Sequence, residues 1–479
     1  MKTSVKYRLI CITLYLDIFL CISAYSQSDS LFQYLKIAAK NNPTVLQKYS
    51  EYQAALQKIL QVGSLPDPEL NMGVFLTPME LVSGNQVADI RLMQMFPWFG
   101  VLKNAKDEMS MMAKAKFESF RDAKLQVFYD VERTWYELYK TAADISISEK
   151  NIQILHSIER LTLARFSTAS SAGQGTSSQS GSTGSSVQSQ STSVGSSGMQ
   201  TMGGNAGSTS IQQYSTVQSN SMGASSIGSG LTDLYRIEIE IGDLDNNIAL
   251  LKNQYSSILA RFNGYLNRPV QSTVTIADTL RPDTLYISLP AVSDSMLLNN
   301  PMLSMLQYEE QSLDARKKMV TRMGYPMVGL GLNYTLINYS DMSNSSMNGK
   351  DMIMPMVTVT LPIYRRKYKA MQTEAEIMKT ATLQNYAASA NNLQTEYYQA
   401  IQLYQEAQRR MNLYANQYSL ANKTLNIMMK SFGTSEIGLT DILRLRQQTL
   451  DYEFKQVEAV TDFNTAIAWM NRLGNLEEY

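Results

Sequence analysis

The chain has 479 residues and no net formal charge, with 42 basic residues against 42 acidic ones. That balance gives no sign of the basic surface that a nucleic-acid partner requires. Only 18% of the residues are charged, so Ser, Thr, Asn, Gln and Tyr must supply much of the polar surface.

Residues 1–26 read as an export signal. Lys2, Lys6 and Arg8 make a positive start, Leu9 to Ile22 form an apolar run broken once by Asp17, and Ala24-Tyr25-Ser26 supplies a small–x–small cleavage site. The run falls short of the roughly 20 apolar residues that a membrane helix needs, and no later segment reaches that length. Both cysteines, Cys11 and Cys21, lie inside the signal, so no disulfide is expected in the mature chain. Two processing routes stay open, simple cleavage after Ser26 or lipidation of Cys21.

The next segments form a duplication. Gly230-Leu231-Thr232-Asp233 recurs as Gly438-Leu439-Thr440-Asp441, and the match runs without a gap to Asn267 and Asn475. Arg236/Arg444, Asp243/Asp451, Ala260/Ala468 and Asn263/Asn471 agree along the way. Earlier, Asn41-Asn42-Pro43 recurs as Asn299-Asn300-Pro301, at an offset larger by 50, so the first copy carries extra residues. They fall in a stretch of Ser, Gly, Gln and Thr without a single charge, which cannot bury a core and is expected to be disordered. The expected organisation is a first repeat at 27–267 with its insert at 167–229, a linker at 268–290, and a second repeat at 291–479.

Each copy shows two periodicities. Leu393, Tyr397, Ala400, Tyr404, Ala407, Met411, Tyr414, Tyr418, Ala421 and Leu425 alternate steps of four and three, as a coiled-coil seam does. In the first copy Phe128, Val131, Trp135, Leu138, Ala142, Ile145, Ile152 and Leu155 follow the same rule, skipping Glu149. Tyr364 to Lys430 contains no Pro, enough for a helix of about 100 Å. The second period is two. Val328, Leu330, Leu332, Tyr334 and Leu336 alternate with Gly329, Gly331, Asn333 and Thr335, and Val357, Val359 and Leu361 alternate with Thr358 and Thr360. A rougher version covers Leu70 to Leu76 and Ile90 to Phe96. Strands of about 9 residues cross a bilayer when tilted, one face to lipid and one to water. Four strands cannot close a barrel, so several copies must share one.

Each strand pair ends in proline before its long helix, at Phe96-Pro97-Trp98-Phe99-Gly100 and Leu361-Pro362-Ile363-Tyr364. At the least these are strand-to-helix junctions. Trp98, Phe99 and Tyr364 could in addition form an aromatic belt at a membrane interface.

This order of helix, strand hairpin, proline junction and long helical hairpin, present twice, resembles the TolC-type outer-membrane factors. Gly433 to Leu443 resembles their periplasmic tip. The resemblance implies a mainly α protein with a small membrane β part. Four strands per protomer would build a trimeric twelve-stranded β-barrel, continued by a twelve-helix periplasmic α-barrel. It also implies a homotrimer in the outer membrane of a Gram-negative cell, contacting outer-membrane lipid, a periplasmic adaptor and an inner-membrane RND-type pump. No cofactor is implied. Gly230, Asp233 and Arg236, with Gly438, Asp441 and Arg444, match the tip. There an acidic gate, an Asp–Arg latch and simple helix capping by the aspartates remain open. Arg236 and Arg444 stand where some members carry a second acid.

The chain holds 28 methionines. Met342, Met347, Met352, Met354 and Met356 cluster around the second hairpin and are weak candidates for soft metal ions; methionine also fills gaps in loose interfaces. Met199, Met202 and Met222 lie in the insert, which is no richer in methionine than the whole. The Phe96–Gly100 junction followed by a methionine-rich helix resembles the heavy-metal efflux branch, so Cu/Ag-type export is the favoured cargo. Export of drugs or of proteins by a type I system is the alternative, and a secreted coiled-coil scaffold without a pore is the alternative of another class. An enzyme is not expected. His156 is a lone histidine beside a heptad seam, no mature thiol is expected, and neither GxxxxGK[ST] nor GxSxG is present.

Overall fold

A computed structural model describes residues 30–172, 229–276, 279–285, 288–433 and 438–475. The expected signal at 1–26, with Cys11 and Cys21, lies outside the described residues, as does most of the insert. The described chain runs α1 (Ser30–Asn41), α2 (Pro43–Val62), β1 (Glu69–Leu81), β2 (Gly84–Phe96), α3 (Val101–Ala172) and α4 (Ser229–Tyr265). The same plan repeats as α5 (Leu289–Asn299), α6 (Pro301–Met323), β3 (Met327–Asn338), β4 (Met352–Thr360), α7 (Arg365–Gly433) and α8 (Leu439–Gly474). Two corrections to the expected boundaries follow. Helix α3 continues through 167–172, into the stretch expected to be disordered, and α5 begins at Leu289, inside the expected linker.

The chain divides into two compact units. The first comprises residues 1–147, 248–422 and 448–479, and the second 148–247 and 423–447. In the first unit the two repeats build matching cores. Tyr34, Leu35 and Ala38 pack with Phe128, Val131, Trp135 and Leu138 of α3 and with Ile258 and Phe262 of α4. Val292, Met296 and Leu303 pack in the same way with Leu393, Tyr397 and Ala400 of α7 and with Ala466 and Met470 of α8. The expected α7 seam is the buried one at Leu393, Tyr397, Ala400, Ala407, Ala421 and Leu425. In α3 the expected seam is buried to Leu138 and again at Leu155, while between them burial moves to Thr141, Ile147, Ser148 and Asn151. Asn151, which accepts a hydrogen bond from Arg446, is buried where hydrophobicity alone assigns the place to Ile152, which is only partly so.

The repeated Asn-Pro explains how each copy is locked. Asn42 Oδ1 accepts from the Thr44 N–H at 2.9 Å, capping α2, while its amide donates to Tyr265 O at 2.8 Å. Asn300 does the same for α6. It accepts from Met302 N–H at 3.0 Å and donates to Leu473 O at 3.2 Å, and Leu473 is the repeat partner of Tyr265. One side chain thus satisfies a helix N-terminus and an orphan carbonyl at the far end of the repeat. Asn267 and Asn475, also repeat partners, end α4 and α8 with φ of 51° and 49°, the left-handed conformation Asn tolerates. The linker is tied as well. Asn263 donates to Val270 O and Ser272 O, and Asn464 accepts from Asp283 N–H and donates to Arg281 O.

The strands form one antiparallel sheet in the order β1-β2-β3-β4. Strands β1 and β2 are 13 residues each, longer than the sequence pattern marks, and join through a tight turn at Val82 and Ser83. Gly84 follows with φ of 121°, and a Cβ there would stand 2.4 Å from Asn338 O, so only glycine fits. Pairing in β1 is interrupted between Val74 and Met79, where Pro78 lies.

Midway along the helices of the first unit, charges are drawn into the packing. Arg410 pairs with Asp462 at 2.6 Å, Arg472 with Glu396 at 3.4 Å and Lys140 with Glu458 at 3.6 Å. Burial raises the carboxyls of Asp122 and Asp462 above their ordinary value. Asp144 is pushed from 3.8 to about 6, chiefly by burial and further by Glu458, against the pull of Lys140.

Two predictions follow from these contacts. Asn42→Ala and Asn300→Ala should each cost about 1–3 kcal/mol in denaturant unfolding. Asn→Asp at either position, which keeps the cap but loses the amide donor, should fall between alanine and wild type. For Asp144 the folded-state pKa is raised, so ionisation opposes folding and the penalty grows as pH rises from 3.8 to about 6. Asp144→Asn should therefore stabilise the protein above pH 6 by on the order of 2 kcal/mol. That gain should shrink through the window and vanish below it, as thermal melts across pH would register.

Candidate functional site: the sheet faces and the helix ends

Ladder pairing decides which side chains share a face, because residues directly opposite in an antiparallel pair point the same way. One face carries Leu70, Met72 and Val74 of β1, Ala88, Ile90, Leu92 and Phe96 of β2, Val328, Leu330, Leu332 and Leu336 of β3, and Ile353, Val357 and Val359 of β4. Most of these are exposed, Val357 by 70% and Val74 by 69%. The other face carries Asn71 and Gly73, Asp89 and Arg91, Gly329, Gly331, Asn333 and Thr335, and Thr358 and Thr360. Asn333 and Thr335 are buried there. The sheet is amphipathic across its full width, with the larger apolar surface uncovered.

The junction after β2 is built from rings. Trp98 stacks on Tyr325 at 5.5 Å and meets Phe99 edge-on at 6.0 Å. Phe99 and Tyr364 are almost fully exposed. Tyr325 was absent from the expected belt. Its position just ahead of β3 places it beside the end of β2 through the β2–β3 ladder, which no local spacing indicates.

Of the methionine candidates, the structure sets Met352, Met354 and Met356 on one face of β4. Met342 and Met347 remain in the connection between β3 and β4, both exposed. Among the described residues no group of three or more His, Cys, Asp or Glu could hold a metal ion, and no helix is long and apolar enough to cross a membrane.

The second unit contains the repeated Gly-Leu-Thr-Asp segments. Gly438 immediately precedes α8, so Asp441 is the third helical residue, where a carboxylate is favoured by the helix dipole. Helix α4 begins at Ser229, which places Gly230 and Asp233 inside its first turns. Neither aspartate therefore stands at an N-cap. Arg236 donates to the Thr440 hydroxyl at 2.6 Å rather than to Asp441, and Arg444 is exposed. Gln447 of α8 donates to both Glu240 oxygens of α4 at 2.8 Å, and Arg446 of α8 donates to Asn151 of α3 at 2.5 Å. His156 is exposed and contacts Glu159 at 3.0 Å.

No family model matches the chain, and no curated protein is similar to it in sequence. Solved structures are similar in fold. The outer-membrane channel OprN superposes with a TM-score of 0.68 at 12% identity, over 93% of this chain and 89% of its own. CusC, described in structures of folding and transmembrane channel formation, gives 0.67 at 14% identity, over 93% and 92%. The outer membrane protein VceC of Vibrio cholerae gives 0.65 at 12% identity, over 93% and 96%. At such identities the likeness speaks for fold, and the chain has the fold of these outer-membrane proteins.

Proposed function

We propose that the chain is the outer-membrane channel of a tripartite efflux system, a passive duct of three copies. Its four strands would supply one third of a twelve-stranded barrel, and its long helices one third of a twelve-helix periplasmic tunnel. The observation that carries this reading is the sheet itself. Its apolar face is uncovered, and both edge strands, β1 and β4, are open. In hydrocarbon an open edge strands backbone N–H and C=O groups, each at a cost of several kcal/mol. Strand order is compatible with closure of those edges between copies. With four alternating strands, β1 and β4 run in opposite directions, so β4 of one copy meets β1 of the next antiparallel. Pro355 removes at most one donor from that ladder.

The tip residues take a role on this reading. Arg236 and Thr440 tie two hairpin ends within one copy, and the duplication makes Arg444 and Thr232 their counterparts. Arg444 would then reach Thr232 of the neighbouring copy, with Asp233 and Asp441 adding negative charge around the entrance. Trp98, Phe99 and Tyr364 would sit at the membrane interface. An adaptor and an inner-membrane RND-type pump supply the energy. Heavy-metal ions of the Cu/Ag type are the favoured cargo, supported by the methionines of β4. Drug or protein export would use the same duct. A secreted coiled-coil scaffold has no use for the uncovered apolar strand face.

Leu332→Arg places a charge on that face in mid-strand, at a cost of about 2–4 kcal/mol if it meets lipid. The variant should lose the heat-sensitive trimer in outer-membrane fractions, whereas Thr358→Arg on the opposite face should assemble and change conductance. Equal assembly of Leu332→Arg and wild type would refute the membrane reading. Unaltered copper and silver tolerance in a deletion strain would remove the cargo assignment alone.

A further inference from the structure

All six methionines of β2, β3 and β4 lie on the polar face of the sheet, whereas Met72 of β1 lies on the apolar face. Register establishes this: Met93 pairs with Gly331 and Gly331 with Met356, Met95 with Gly329, Asn333 with Met354, Thr335 with Met352, and Met327 with Thr360. A flexible apolar filler belongs at least as well among Leu, Ile and Val. Here the thioethers stand instead among Asp89, Arg91, Asn333 and three threonines.

The two glycines of β3 open the space between them. A Cβ at Gly329 would sit 2.6 Å from Met95 Sδ, so that sulfur lies directly over the β3 backbone. A Cβ at Gly331 would sit 3.4 Å from the methyl carbon of Met93. Met93 and Met356 flank Gly331 from either side, two strand spacings or about 10 Å apart at Cα, within joint reach of two thioether side chains. Met354 lies one row further along, in the row of Asn333 and Arg91, out of reach of the Met95 sulfur.

We infer that Met93, Met95 and Met356 form a thioether site for a soft monovalent cation, Cu(I) or Ag(I). Neutral, polarisable sulfur prefers such ions over Zn(II), Ca(II) or Na(I). Arg91, one row away, opposes any cation, while Glu69 in the Met93 row and Asp89 beyond Arg91 offset it. A few neutral ligands on an accessible face bind and release, as a conduit requires. The inference rests on the channel reading for its biological sense, since a cation meets this face in transit only if it lines the lumen.

The test titrates detergent-solubilised wild-type protein with Ag(I) in chloride-free buffer, against a variant carrying Met93→Leu, Met95→Leu and Met356→Leu. Wild type should bind Ag(I) and show no Zn(II) binding at this site, and the variant should bind Ag(I) more weakly by about tenfold or more. Ag(I) should also protect these three methionines of wild type from peroxide oxidation, read by mass spectrometry, which holds even if the variant misfolds. Equal Ag(I) affinity in both proteins, or no protection in wild type, overturns the site. Conductance of the same preparations in planar bilayers separates the two ideas. Conducting wild-type protein that fails the Ag(I) tests loses the site and keeps the channel. Non-conducting protein that passes them loses the channel and keeps the site.

Discussion

Backbone hydrogen bonding at the two open edges of a four-stranded sheet is the constraint from which the rest follows. Water could satisfy β1 and β4 if the sheet were solvated, but water would then also have to cover its broad apolar face. Lipid welcomes that face and rejects the edges. Only pairing with further copies reconciles both demands, and an even number of alternating strands allows it without reversing direction.

The helices answer to the same requirement from the other end. A barrel shared among copies needs each copy to present its strands at a fixed spacing, and rigid helices packed through continuous seams can hold that spacing. The duplication gives each protomer two nearly equivalent helical hairpins. Asn42 with Tyr265 and Asn300 with Leu473 show equivalence at the level of single hydrogen bonds, as do the left-handed Asn267 and Asn475. Selection on one geometry twice is the simplest physical account of why these four asparagines recur. The connections between the long helices depart from equivalence, being far shorter in sequence in the second copy than in the first.

Much of this was legible in the residues because the signals are local. The α7 seam, the alternation of β3 and β4, the proline junctions and the repeat offsets all depend on neighbours within a few turns or strand residues. What stayed hidden is non-local. Alternation gives the parity of Met93 and Met95, yet nothing in spacing says that β2 lies against β3 of the other copy, so the glycine-cleared row was invisible. Tyr325 under Trp98 was missed for the same reason. Between Leu138 and Leu155 the α3 seam departs from the hydrophobic pattern at Asn151, a polar residue held by a hydrogen bond from Arg446. Among the roles the sequence leaves open for Asp233 and Asp441, N-capping is removed by the helix starts, which place both aspartates inside the first turns.

The most direct measurement is cysteine cross-linking between edge strands, on a chain whose own Cys11 and Cys21 are first replaced by serine. Single cysteines would be placed in pairs along β1 at residues 70–74 and β4 at residues 353–359, covering the possible registers, and oxidised in outer-membrane preparations. The account predicts a covalent trimer in denaturing gels for pairs in one antiparallel register and none in the others. Monomer alone across every register, with oxidant and expression confirmed, would contradict the shared barrel.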